Sequence, residues 1–156
     1  MISKLVLAAV LALLAPAAEA AHCGQPAPGL AAEVLAAVNA ARRADGLAPL
    51  APDPRLDAAA QAHACDMAQN GFFDHRGSSG DSVTDRVRAQ GMKSCTTAEN
   101  IAYGWRSTQQ VMDGWMQSSG HRDNILRGSV NAIGIGYVAA SGGAGPWWVQ
   151  VFARPC

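Results

Sequence analysis

The hydrophobic period of this chain changes once, and that change limits what it can become. Before His121 apolar residues recur largely at helical spacing; after it they alternate. "GLAAEVLAAVNAARRADGL" places Leu30, Val34, Val38 and Ala41 on one helical face, and Gly46 ends the helix. Asp53 followed by Pro54 predicts an N-cap with proline at N1. The second helix then runs to about Gly71, with Leu56, Ala60, His63 and Met67 along one stripe. "SVTDRVRAQG" is a short third helix, and Ser107 caps a fourth, "TQQVMDGWMQS". "FFDHRGSSGDS" reads as a loop and "MKSCTTAENIAYG" as irregular chain. Beyond His121, "AIGIGYVAA" and "WWVQVFA" read as strands joined by the turn "SGGAGP". Helices first and a hairpin last predict an α+β fold, with helices packed on a small antiparallel sheet.

The first 20 residues read as a leader. Lys4 precedes the short apolar run "LVLAAVLALLA", and "AEA" fits a small-residue cleavage site. The run is too short for a spanning helix, so no transmembrane anchor is expected. Residues 21–29 form an N-terminal segment, and 30–156 a single domain. The chain has 12 basic and 12 acidic residues, and the leader removes one of each, Lys4 and Glu19. No basic surplus favours nucleic acid or an anionic membrane as partner.

Four cysteines remain, an even count that predicts two disulfides in a secreted chain. Three pairings are open. Domain termini often lie close together, which favours Cys23–Cys156 and Cys65–Cys95. Closing the first, very long loop would contribute about 4–5 kcal/mol in the chain-entropy model.

His63 sits on the apolar stripe of helix two and reads as a core histidine with one hydrogen bond. His22 lies at the mature terminus. His75 and His121 fall in loops with small or polar neighbours, where binding groups concentrate. Glu99 lies in the nearly uncharged "TAENIAYG" and needs a partner, because burying a carboxylate alone is costly. His75 and His121 are the obvious partners. Two imidazoles and a carboxylate suit zinc or another divalent metal. They equally suit acid/base work. No G-x-S-x-G elbow or phosphate loop accompanies them. The four tryptophans, Trp105, Trp115, Trp147 and Trp148, are assigned to core and sheet packing. Asn124 is assigned to local backbone bonding.

In order, "VNAARRADGLAPL", "DPRLDAAAQAHACDMA", "FFDH", "DRVRAQG", "AENIAYG", "VMDGWMQSSGHRDNIL", "IGIGY" and "WWVQVF" resemble the CAP superfamily, or SCP domain, over about residues 30–153. The resemblance implies an α-β-α sandwich and a cleft holding two histidines and two acids. The histidines fall on His75 and His121, and one acid on Glu99. The other acid position is occupied by Ser118, so one member of the tetrad is replaced by a hydroxyl. Family members are associated with lipid or sterol binding, metal binding, hydrolysis and partner recognition. The ranking that follows is a secreted binding module for a small apolar or amphipathic ligand, then an extracellular interaction domain, then a metal-dependent hydrolase using His75, His121 and Glu99. A zinc or other divalent ion on His75 and His121 is the cofactor these residues would accommodate.

Overall fold

A computed structural model describes residues 23, 24, 26 and 28–156, so the leader and His22 lie outside the described residues. Helix α1 is Pro28–Ala44, strand β1 Ala51–Pro52, α2 Pro54–Asn70, α3 Val83–Ala89 and β2 Ser94–Tyr103. Then come α4 Thr108–Gln117, α5 Ser119–Ile125, β3 Ala132–Val138 and β4 Trp147–Pro155. The helix boundaries follow local chemistry. Asp53 accepts a hydrogen bond from the Arg55 N–H at the start of α2, and left-handed Gly71 closes its end. Ser82 and Asp85 form a reciprocal capping box on α3.

The fold is the α+β class that the change of period predicts, with one refinement to the sheet. Its strand order is β1-β3-β4-β2, and the two-residue β1 pairs parallel to β3, so the sheet is mixed. Strands β3 and β4 form the expected hairpin, and β2 lies antiparallel to β4 at the edge. The irregular reading of 92–104 is overturned: most of that segment is β2. Its buried run from Ala98 to Ala102 includes Glu99 and Asn100, so its polarity does not alternate.

Side chains alternate across the sheet into two cores. Ala98, Ala102, Ile133, Ile135, Trp148 and Phe152 pack with α1, α4 and α5. Ile101, Val138, Val149 and Val151 pack with Leu56, Ala60, Met67 and Val87 of α2 and α3. On the second face β3 offers Gly134 and Gly136. A Cβ at Gly134 would fall on the Leu56–Asp57 peptide, and one at Gly136 on the Ala60–Gln61 peptide. Helix α2 therefore lies against bare strand backbone. It also bonds to it: the Asp57 carboxylate accepts the Ile135 N–H at 2.8 Å, and Gln61 exchanges hydrogen bonds with both backbone groups of Tyr137. On the other face buried Arg42 of α1 donates to the carbonyls of Ala48, Ile125 and Arg127, which anchors the end of α5.

The expected cysteine pairing is corrected. Cys95 bonds to Cys156, and Cys23 and Cys65 are thiols. The cause is the β2–β4 pairing. Ser94 lies opposite Pro155, so their neighbours Cys95 and Cys156 meet at the same end of the sheet. Closeness of the chain ends is a weaker constraint than strand register.

Candidate functional site

Glu99 is on β2, with its side chain on the α2–α3 face of the sheet and only 2% exposed. Both its oxygens are engaged. Oε1 accepts from His75 Nδ1 at 2.9 Å, and Oε2 accepts from Arg86 Nη2 at 2.7 Å. Arg86 also donates to the His75 carbonyl and to Asp81, so it fixes the loop that carries His75. His63 Nε2 stands 3.9 Å from Glu99 Oε1 and donates to the Asp74 carbonyl at 2.9 Å. Because a carbonyl only accepts, the His63 proton is on Nε2. His63 is thus the core histidine expected, and burial lowers its pKa. Among the described residues its Nδ1 and the Nε of Arg86 have no partner, and both residues line a second cavity of about 310 Å³.

The opposite wall comes from α4 and α5. Ser118 is the joint, serving as C-cap of α4 and N-cap of α5. His121 is therefore in the first turn of a seven-residue helix, not in a loop as the sequence suggests. A Gly-containing start hides that helix from a periodicity argument. Asn100, next to Glu99 on β2, faces this other layer. It donates to the His121 carbonyl at 3.1 Å and accepts from Asn124 at 2.9 Å. Asn124 also donates to the Glu99 carbonyl, so it ties α5 to the strand rather than bonding to its local backbone. Consecutive residues of one edge strand thus hold the two halves of the site from opposite faces.

The halves enclose an open cleft of about 670 Å³, lined among others by Phe73, His75, Tyr103, Trp105, Ser118 and His121. Phe73, Tyr103 and Trp105 are each more than 40% exposed. Phe73 and Tyr103 are 6.1 Å apart, and Tyr103 and Trp147 5.3 Å, forming an aromatic row. Trp115, Trp147 and Trp148 are buried, as a packing role requires. Trp105 departs from that assignment. It stands on the cleft wall over Gly114, where a Cβ would come within 3.1 Å of its ring. Glu99 does not line the cleft.

The imidazoles differ in charge preference. The hydrogen bond to Glu99 raises the His75 pKa above its ordinary value. Burial, with His75 nearby as a second cause, lowers that of His121. The donor set does not fit a closed metal site. Both Glu99 oxygens are occupied, Ser118 is a neutral hydroxyl, and among the described residues no three His, Cys, Asp or Glu side chains are placed to hold an ion.

His75, Glu99, Ser118 and His121 are brought together at the β2 edge of the sheet. Sequence reasoning missed Arg86, Asn100 and the aromatic wall. Arg86 carried a signal, since a carboxylate in an apolar segment requires a cation and "DRVRAQG" is close by in sequence. Asn100 carried none.

A three-layer domain with paired imidazoles across an edge strand is a recognisable class. Residues 35–152 match the model of the cysteine-rich secretory protein family, CAP, and the chain belongs to that family. It is 38% identical over 120 residues to the uncharacterized protein YkwD of Bacillus subtilis, covering 77% of this chain and 45% of that protein. An extracellular SCP-domain protein from Bacillus anthracis superposes with a TM-score of 0.74 at 26% identity, over 84% of this chain and 45% of the other. An outer surface protein from Borrelia burgdorferi shares the fold, with a TM-score of 0.71 at 19% identity over 79% of this chain and 90% of its own. The chain spans less than half the length of the curated relatives it matches.

Proposed function

We propose that this is a secreted binding module whose cleft takes a small apolar or amphipathic ligand. The observation that carries the reading is the cleft itself. About 670 Å³ is within the usual range for small-molecule sites, and exposed aromatic rings stand beside two polar imidazoles. An apolar body would cover Phe73, Tyr103 and Trp105, while a polar head would meet His75 and His121. Secretion is supported by the leader-like first 20 residues, by the Cys95–Cys156 bridge, and by the extracellular and surface proteins that share the fold. No described helix is long and apolar enough to cross a membrane.

The geometry favours binding over metal-dependent hydrolysis. Glu99 is buried under His75 and Arg86, where it orients His75 instead of facing a substrate. The reading is tested by titrating the purified protein with a fatty acid, a sterol and a phospholipid, and following tryptophan fluorescence. Saturable quenching that weakens about tenfold in Trp105→Ala is expected, for loss of one aromatic contact. Absence of saturable binding to all three removes the proposal.

A further inference from the structure

The bridge between Cys95 and Cys156 leaves two thiols, and the structure brings them together. Gln61, Cys65 and Gln69 recur every four residues on α2 and form one stripe. The start of the described chain lies along it. Gln61 Nε2 donates to the Gly24 carbonyl at 2.8 Å and lies 3.6 Å from Cys65 Sγ. Gln69 Nε2 lies 3.2 Å from Cys23 Sγ. With Gly24 beside Gln61 and Cys23 beside Gln69, the cysteine between them on the stripe is Cys65, one turn of α2 from each glutamine. We propose that Cys23 and Cys65 close a second disulfide that straps the N-terminal segment to the middle of α2.

The two sulfurs have unequal roles. Cys23 is exposed and meets the oxidant first. Its thiolate attacks one sulfur of a disulfide-bearing oxidant, a small-molecule disulfide or a thiol–disulfide oxidoreductase. The oxidant's S–S bond breaks, and its other sulfur leaves as a thiolate and takes a proton from water. Cys65 then loses its proton to solvent and attacks Cys23 Sγ, which expels the second oxidant sulfur. Two protein thiols are oxidised, and one disulfide is reduced to two thiols. Burial first, then the neighbouring Cys23, pushes the Cys65 thiol up to about 12. Once Cys23 is in the mixed disulfide its charge is gone, so that part of the barrier to ionising Cys65 falls away. Half-burial meanwhile shields Cys65 from external reagents.

The test equilibrates the full chain with oxidised and reduced glutathione, unfolds it in iodoacetamide without reductant, and maps peptides by mass spectrometry. A linked Cys23–Cys65 peptide and no alkylated cysteine are expected. In Cys65→Ala, Cys23 is expected to accumulate as the glutathione mixed disulfide. In Cys23→Ala, Cys65 is expected to remain a free thiol. Alkylation of both Cys23 and Cys65 in the parent chain under oxidising glutathione overturns the proposal, as does glutathione on Cys65 in Cys23→Ala at the rate seen for Cys23.

Discussion

His75 and His121 face one cleft with the same side chain and opposite electrostatic settings. His75 is held from behind: Glu99 accepts the hydrogen bond from its Nδ1, and Arg86 secures both that carboxylate and the His75 carbonyl. Among the described residues His121 is held through its backbone, by Asn100, and the cleft residue beside it is the neutral hydroxyl of Ser118. The pKa of one imidazole is raised and that of the other lowered. The contrast teaches that a pair of histidines becomes an ordered pair through what lies behind each, not through their own spacing.

Removing the backing of His75 should have the largest effect. Arg86→Ala leaves Glu99 buried beside a neutralisable histidine, and a loss of about 3–5 kcal/mol is expected for a broken buried pair. Urea unfolding measures it; a loss below about 1 kcal/mol, the scale of an exposed pair, would mean that Arg86 is not what secures the wall. Next is giving His121 the counterpart it lacks. Ser118→Glu is expected to raise the His121 pKa, as an opposite charge nearby does. The same change adds a third donor to the two imidazoles, so calorimetry should detect zinc binding in the variant and none of comparable affinity in the parent. Unaltered His121 titration by NMR would show that residue 118 does not face it.

The pH dependence of stability comes third, because the two imidazoles oppose each other. The His75 value is raised, so its contribution is fully present below the ordinary 6.5 and is lost as pH rises through the folded value. The His121 value is lowered, so its contribution is present above 6.5 and is lost as pH falls through the folded value. Together they give a stability maximum near 6.5, and His75→Gln should move that maximum to higher pH. An unmoved maximum in thermal melts across the range would break the comparison. The smallest effect is expected from Gly114→Ala. Better helix propensity, about 1 kcal/mol, offsets the displacement of Trp105, so stability changes little while ligand affinity falls.

How much of this could be read from the sequence depended on which force set each feature. Helices α1 to α4 were legible because caps, prolines and an apolar stripe act locally. The β3–β4 hairpin was legible because its period alternates around a glycine-rich turn. Strand β2 was not, since Glu99 and Asn100 are polar yet buried, and their partners Arg86, His75 and Gln150 come from distant positions. Helix α5 is two turns long and carries Gly120 in its first turn, too little for a periodic signal. His75, Glu99 and His121 stood out as polar residues without local explanation, but only the fold separates orienting carboxylate from cleft-lining imidazole. Cysteine connectivity depended on register, which one sequence does not encode locally.

Gly134 and Gly136 also decide which parts of the molecule can move. With two helical peptides resting on strand backbone and Asp57 and Gln61 bonded to β3, α2 cannot slide or tilt on the sheet without breaking backbone contacts. The sheet and α2 therefore pack as one unit, and Glu99 and Arg86 tie the His75 loop to it. The α4–α5 wall is fastened through side chains, chiefly Arg42, Asn100 and Asn124. The cleft therefore has unequal walls: His75 is tied by Glu99 and Arg86 to elements seated on strand backbone, whereas His121 meets the sheet through the amides of Asn100 and Asn124.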